Sequence, residues 1–121
     1  MVEVNWLTQA EFSNYFEVHL RPNNRLLRLD CWFSSTPQKV ISAIDSTPVD
    51  TPAEEDDFPG PTLRWYGEVN KHHFLLDMPS DEPADMEVWP IFHAEPAALD
   101  SLSELTLDLF GTTIIDSHVT S

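Results

Sequence analysis

The sequence predicts an α+β fold: a single domain, residues 1–121, with a mainly antiparallel sheet of about four or five strands and two or three helices packed on one face. Segments with helix-capping residues and helical periodicity alternate with short strand-like runs that end at polar turns. Hydrophobic residues make up 41% of the 121 residues, and four Trp and seven Phe are among the aromatic ones. This apolar content is enough for one buried core and too large for a chain that stays disordered.

The first helix is predicted at about 9–18. Thr8 and Glu11 have the spacing of a capping box, in which each residue satisfies a backbone amide of the other. One face of this helix is expected to point toward the core, because its ring-bearing residues recur at helical spacing: Phe12, Tyr15, Phe16 and His19.

A strand is predicted at about 25–33, after a turn at 22–24. Cys31 lies in its apolar part, where a buried and inert thiol is expected. A single cysteine cannot form an internal disulfide, which favours a reducing, cytoplasmic location. The N-terminus lacks the pattern of a secretion signal, and no apolar run is long enough to span a membrane.

A short second helix is predicted after the strand. Ser35 or Thr36 is placed to cap it, Pro37 suits its first position, and three apolar residues give it an inward face: Val40, Ile41 and Ile44.

Two acidic segments rich in proline are predicted as loops. The longer one, at about 45–62, has four consecutive acids and loses all periodicity, and the shorter one lies at about 79–86. Loops as long as the first are uncommon inside compact domains and are usually functional or disordered.

A β-hairpin is predicted between these loops, with strands at 63–67 and 72–78 joined around 68–71. The run 86–95 reads as a further strand. Its Pro90 cannot donate a backbone hydrogen bond, which predicts a position at a sheet edge or a bulge.

The C-terminal segment supports two interpretations, because its leucines fit both a helix and a strand. We predict a helix at about 96–110 that ends at Gly111, followed by a strand at 113–119.

The net charge limits the classes of partner. The chain has 21 acidic residues against 6 Lys and Arg, a formal charge of −15, and residues 72–121 contain ten acids and no Lys or Arg. Such a charge repels nucleic-acid phosphates and anionic membranes, so neither is an expected partner. A basic protein is the expected partner, although acidity can also serve solubility alone.

The sequence indicates no reaction, cofactor or catalytic residue. It has no G-x-S-x-G motif, and its three glycines cannot build a phosphate-binding loop. Metal binding is not predicted, because the adjacent His72 and His73 point to opposite faces of a strand and no ligand-spacing motif is present. The residue types that a metal would need are nevertheless there: His72, His73, Asp77, His93, Glu95 and His118.

Aromatic residues follow both acidic loops and provide possible anchors for a partner. If the hairpin and the strand after Trp89 are sheet neighbours, both loops emerge at one end of the sheet and surround an aromatic patch. The alternative is that at least half of these aromatics are simply core. The candidate partner-binding residues are Asp50, Glu54, Glu55, Asp56, Asp57, Phe58, Trp65, Tyr66, Asp81, Glu82, Asp85 and Trp89.

These properties favour a non-catalytic protein-binding domain. In size and acidity the chain resembles bacterial toxin-immunity proteins, which implies an inhibitor that neutralises a basic partner such as a toxic nuclease. Three alternatives stay open: an adaptor or assembly domain whose acidity serves solubility, a nucleic-acid mimic that blocks a DNA-binding protein, and a small enzyme, which a concave pocket with converging titratable groups would favour. Nothing in the sequence indicates the oligomeric state.

Overall fold

The computed structural model describes residues 2–15, 28–51 and 61–120. They form an α+β fold, as predicted, with seven strands and three α-helices. In chain order the elements are β1 (Val4–Leu7), α1 (Gln9–Tyr15), β2 (Arg28–Trp32), α2 (Pro37–Ala43), β3 (Val49–Thr51), β4 (Thr62–Val69), β5 (His72–Pro79), β6 (Ile91–Ala94), a 3₁₀ turn (Pro96–Ala98), α3 (Leu99–Phe110) and β7 (Asp116–Thr120).

One open antiparallel sheet contains all seven strands. Its order is β1-β4-β5-β6-β2-β7, and β3 pairs with β4 beside β1. The predicted count of four or five strands is too low because β1 and β3 were missed. With four and three residues, these strands are too short to show a clear alternation. β1 pairs with β4 far along the chain, and β3 pairs with β4 across the acidic stretch 52–60, where no short turn signals a hairpin.

The long acidic loop predicted at 45–62 is therefore interrupted by β3. Thr51 pairs with Thr62 in the register of β3 and β4. The rest of that loop, residues 52–60, lies outside the described residues.

The hairpin of β4 and β5 is confirmed, with a tighter turn than predicted. Its strands pair from Thr62 opposite Pro79 to Val69 opposite His72. Asn70 and Lys71 form the turn with φ angles of 49° and 70°, which is the left-handed geometry that two-residue hairpin turns require.

The capping box that starts α1 is confirmed. The Glu11 amide donates to Thr8 Oγ1 at 3.1 Å, and the Thr8 amide donates to Glu11 Oε1 at 2.9 Å. The hydrogen bond from the Thr8 amide, together with one from the Thr8 side chain, lowers the pKa of the Glu11 carboxyl group. The remainder of the predicted first helix, the turn at 22–24 and the start of the predicted strand lie outside the described residues.

The second and third helices are confirmed as well, but Ile41, predicted on the inward face of α2 with Val40 and Ile44, is 47% exposed. Thr36 caps α2 by accepting a hydrogen bond from the Lys39 amide at 3.3 Å, and Pro37 is the first helical residue. Gly111 ends α3 with a φ of 66°. The helical interpretation of the leucine-rich segment is correct, because α3 buries Leu102 and Leu105 and leaves Leu107 56% exposed.

The main core lies between one face of the sheet and the helices α2 and α3. On the helix side of this core, α2 and the residue after it contribute Val40 and Ile44, and α3 contributes Leu102 and Leu105. The sheet side consists of alternate strand residues: Leu29, Cys31, Trp65, Val69, Phe74, Leu76, Met78, Phe92 and Ala94.

The prediction that all helices pack on one face is wrong for α1. Its Phe12 packs on Tyr66, with 5.0 Å between the ring centroids. Tyr66 alternates with the core residues Trp65 and Gly67 along β4 and so points to the opposite face. That face therefore receives an aromatic contact from α1.

Pro90 does not lie on an edge strand, contrary to one of the two predicted positions. The strand β6 begins only at Ile91 and lies between β5 and β2. Before it, Val88 forms an isolated bridge with Ser35, and the Pro90 carbonyl accepts from the Phe33 amide at 3.3 Å. The proline precedes the central strand, so its missing donor interrupts no regular ladder.

Candidate partner-binding surface

The described ends of the longer acidic segment lie beside the shorter one at one end of the sheet. The flanking residues of the longer segment, Thr51 and Pro61, lie where β3 and β4 pair. The Pro61 carbonyl accepts from the amide of Ser80, which lies in the shorter segment, at 3.0 Å. The hairpin and β6 are sheet neighbours, which is what the prediction required for both loops to emerge at one end of the sheet. The predicted residues Glu54, Glu55, Asp56, Asp57 and Phe58 themselves lie outside the described residues.

The β5–β6 connection, residues 80–90, presents its carboxylates to solvent. Every residue from 80 to 87 is exposed, including the predicted Asp81, Glu82 and Asp85 and the neighbouring Glu87. The connection carries no Lys or Arg. It is therefore an exposed, purely anionic stretch.

Backbone hydrogen bonds hold this connection against α2 and the segment before it. The Gln38 amide donates to the Ala84 carbonyl at 3.0 Å, and Val88 exchanges two bonds with Ser35, at 2.8 and 3.0 Å. A turn bond from the Met86 amide to the Pro83 carbonyl, 3.1 Å long, closes the connection internally. The carboxylates are thus displayed on an attached backbone.

Trp89 is the exposed aromatic residue of this surface. It is 53% exposed, whereas its neighbours Val88 and Pro90 are buried and fix the backbone on either side. Met86 and Ile41 are each 47% exposed. An exposed tryptophan is a residue type that anchors protein interfaces.

Trp65 and Tyr66, by contrast, lie in the interior, with 1% and 6% exposure. The core interpretation applies to both, and they offer a partner no surface as they are placed. Among the described residues the Trp65 indole N–H finds no hydrogen-bond acceptor. A buried donor without an acceptor costs free energy, which the apolar contacts of the Trp65 ring must offset.

A hollow of about 320 Å³ adjoins the connection, and we call it the α2 hollow. It lies between α2, the ends of β4 and β5, and the first residues of the connection. Its lining is mostly apolar: Pro37, Gln38, Ile41, Ser42, Leu63, Met78, Pro79, Ser80, Glu82 and Ala84. Asp50, the remaining predicted acid, is exposed on β3 and pairs with the lining residue Leu63.

A charged network occupies the sheet face opposite the main core. Arg64 makes a bidentate pair with the buried Asp77, at 2.6 and 2.8 Å. His93 Nε2 lies 3.7 Å from Asp77 Oδ2, and its Nδ1 lies 2.6 Å from Asp30 Oδ1. The network follows from the register, because Arg64 is opposite Asp77 and His93 is opposite Asp30.

This network is built for cohesion between four strands. The hydrogen bonds that Arg64 donates to Asp77 raise the pKa of Arg64 above its usual range, and burial of Arg64 opposes that effect. The two hydrogen bonds from the Arg64 guanidinium satisfy the buried carboxylate of Asp77, which would otherwise be costly to bury. The roles of Asp30 and Arg64 were not predicted from the sequence. The available signal was that each is a charged residue that alternates with apolar residues along a predicted strand.

The histidines that the sequence offers as possible metal ligands lie on both faces of the sheet. His72 bonds Glu95, whereas His73 Nδ1 lies 3.6 Å from Glu68 Oε2 on the opposite face, as the strand alternation predicts. Within the described residues, no group of three or more His, Cys, Asp or Glu side chains is placed to hold a metal ion.

Cys31 is fully buried in the main core. Burial, assisted by the nearby charge of Asp30, raises the pKa of its thiol to about 12. The predicted inert thiol is consistent with this, because a cysteine reacts as the thiolate.

Comparison with known proteins gives no relative. No family model, no curated protein and no solved structure matches this chain. Among the helices of the described residues, none is long and apolar enough to cross a membrane.

Proposed function

We propose that this chain is a non-catalytic protein-binding domain, an acidic inhibitor of the immunity type that neutralises a basic partner such as a toxic nuclease. The observation that carries the proposal is the β5–β6 connection, where exposed Trp89 and Met86 stand among exposed carboxylates on a backbone held by α2. Apolar anchors supply binding energy at such a surface, and the charges direct association.

The sign of the charge supports a basic enzyme as the target. A protein that binds nucleic acid presents Lys and Arg to the phosphates. An inhibitor with a net charge of −15 is attracted to that cationic surface, and electrostatic steering raises the association rate by orders of magnitude at low salt. Carboxylates placed over the surface then exclude the substrate.

An adaptor domain is the second candidate, and the exposed apolar side chains favour it. If Trp89, Met86 and Ile41 supply the binding energy, with acidity serving solubility only, affinity is nearly independent of salt. Binding to a basic enzyme instead weakens steeply with salt, mainly through a slower association rate.

Capture of partners from the native host at low and high salt, about 0.05 M and about 0.5 M, tests the proposal. The identified partner is then titrated with the purified protein while its catalytic activity is followed. We expect a basic enzyme whose inhibition requires low or moderate salt. A partner that is not basic, or whose affinity does not change with salt, contradicts the proposal.

Matched charge variants locate the surface. A triple variant, Asp81→Asn, Glu82→Gln and Asp85→Asn, is expected to slow association with that partner about tenfold or more at low salt. The control, Glu3→Gln, Asp100→Asn and Glu104→Gln, removes the same charge from exposed positions elsewhere and is expected to have a much smaller effect. Equal effects of the two variants would exclude the β5–β6 connection as the contact.

A further inference from the structure

We propose that the α2 hollow receives one apolar side chain of the partner, and that Lys or Arg residues flank this side chain in the partner's sequence. The inference rests on the proposed function, and it specifies the chemistry of the segment that docks: a basic stretch with a single aliphatic or aromatic anchor.

The walls of the hollow are suited to an apolar side chain. Ile41 of α2, Leu63 of β4 and Met78 of β5 line it together with Pro37, Pro79 and Ala84. At about 320 Å³ it is at the lower limit of small-molecule pockets, a size that matches one or two side chains better than a cofactor. Burial of an apolar group there removes both surfaces from water.

The rim of the hollow is anionic, which determines the flanking charges. Glu82 lines the hollow, and the exposed Asp81 and Asp85 adjoin the lining residues Glu82 and Ala84 in the chain. Asp50 pairs with the lining residue Leu63 across β3 and β4, so that both side chains point to the same face. Lys39, the one cation of α2, is not among the lining residues.

A second copy of this chain does not fit the same site. Each copy carries a net charge of −15, and docking would bring one anionic rim against another acidic surface. Like charges in contact cost free energy and disfavour the complex. Charge complementarity therefore selects a basic partner segment as the occupant.

The hollow is held open by the backbone of three elements. Gln38 of α2 bonds Ala84, and Ser80 bonds Pro61, each at 3.0 Å. The lining residue Met78 is itself fully buried in the main core. A preformed site needs little ordering on binding, which favours docking of a short segment.

Synthetic peptides test the inference directly. One probe is a Lys- and Arg-rich peptide with a single central leucine, a second has serine in place of that leucine, and a third keeps the leucine in a neutral Gly- and Ser-rich sequence. Affinities are measured by NMR titration at low salt, and backbone shifts locate the contact. We expect the basic leucine peptide to bind at least tenfold more tightly than either of the others, with shifts at Ile41, Leu63 and Ala84.

Two variants isolate the hollow. Ile41→Asp places a charge in the wall, and Ala84→Leu fills the hollow without any change of charge. Both are expected to reduce the preference for leucine over serine to less than twofold while binding of the basic serine peptide persists. Leu107→Asp is the matched control for Ile41→Asp, because Leu107 is a similarly exposed aliphatic residue that lines a different cavity with Val2 and Asn70. This variant should retain the preference for the leucine peptide over the serine peptide.

The outcomes separate this inference from the proposed function. Equal binding of the two basic peptides, or no binding of either at millimolar concentration, overturns the inference, whereas the proposed function is judged by the salt dependence of the captured partner. Equally tight binding of the neutral leucine peptide overturns the assignment of flanking cations and also weakens the proposed function. The free protein is also examined without peptide at high and low protein concentration. If the backbone NMR shifts of residues in the hollow change between the two, the chain dimerises through this face, which would likewise overturn the inference.

Discussion

At the scale of single residues, Trp65 and Trp89 illustrate how the same side chain takes different roles. Trp65 is 1% exposed and belongs to the main core, whereas Trp89 is 53% exposed between two buried neighbours. Both follow an acidic, proline-rich stretch in the chain. The difference arises from the strand register: Trp65 lies opposite Leu76 inside the hairpin, whereas Trp89 precedes β6 and pairs with no strand.

The charged network depends on residues that no local pattern connects. Asp30 and His93 lie far apart in the chain and meet only because β2 pairs with β6. His93 also reaches toward Asp77, which binds Arg64. A polar residue in a strand can be solvent-exposed or part of such a network, and the sequence alone does not distinguish the two.

Cys31 gives a prediction for stability at alkaline pH. Its pKa is raised in the folded state from 9.0 to about 12, so the stabilisation is fully present below pH 9 and is lost as the pH rises toward 12. Between about pH 8 and pH 10 the free energy of unfolding should fall by roughly 1 kcal/mol more than in the Cys31→Ala variant. Urea unfolding at both pH values measures this difference.

The Cys31→Ala variant serves as its own control for every other titrating group, because both proteins share them. Its lower stability, caused by the smaller side chain in the core, is a constant offset and leaves the pH dependence unaffected. Parallel stability curves for the two proteins would show that burial does not raise the pKa of this thiol.

At the scale of secondary-structure elements, β4 and β5 organise the fold. β4 pairs with β1 and β3 along one edge and with β5 along the other. Gly67 lies in this hairpin opposite Phe74. A Cβ atom at Gly67 would lie 2.5 Å from Phe74 Cζ, and Phe74 is itself held edge-on by Trp6 and Phe92.

Gly67→Ala is therefore expected to lower the free energy of unfolding by about 1–3 kcal/mol, because the ring of Phe74 has no space to move. Thermal and urea unfolding measure the loss. Phe74→Leu in the same chain should recover part of it, so that the two changes together cost less than their sum.

Gly111→Ala is the comparison for this experiment. A Cβ atom there meets nothing within 4 Å, and the cost, about 1 kcal/mol, comes only from the left-handed φ of 66°. Its effect should add to that of Phe74→Leu. If Gly67→Ala also adds independently to Phe74→Leu, the close packing of these two residues is not the cause of the loss.

Elements that depend on nearby residues were predictable, and elements that depend on distant pairing were not. The capping box at Thr8, the cap at Thr36, the end of α3 at Gly111 and the hairpin each have a signal within a few residues. The strands β1 and β3 have no such signal: Val4 pairs with the distant Val69, and Val49 pairs with Arg64 across a stretch that has no short polar turn. For the same reason the position of α1 against Tyr66 was not predictable.

The candidate site likewise has a part that was predictable from nearby residues and a part that was not. The exposure of Asp81, Glu82 and Asp85 follows from their proline-rich, acidic surroundings and was predicted. The α2 hollow was not, because α2, the hairpin end and the β5–β6 connection meet only in the folded chain. The roles of Trp65 and Trp89 could be separated only once the register was known.

At the scale of the whole molecule, the charge is the dominant property. A net charge of −15 on 121 residues disfavours the compact state through self-repulsion. The described surface concentrates part of this charge at one end of the sheet, where Asp50 and the β5–β6 connection lie and where the flanks of residues 52–60 meet. Screening by salt should therefore stabilise the fold and weaken binding of a basic partner.

Replacement of Glu54, Glu55, Asp56 and Asp57 by the corresponding amides tests whether these acids serve binding rather than folding. We expect the melting temperature at low salt to stay the same or rise slightly, because repulsion with the other acids decreases. The difference from the wild type should shrink as NaCl is raised from about 0.05 M to about 0.5 M. The same variant should bind the basic partner more weakly.

The control replaces four exposed acids elsewhere by amides: Glu3, Asp45, Asp100 and Glu104. This variant should give a similar shift in melting temperature and keep most of the affinity. A clear loss of stability would mean that the four acids make contacts that hold the fold, and unchanged affinity would exclude them from the interface.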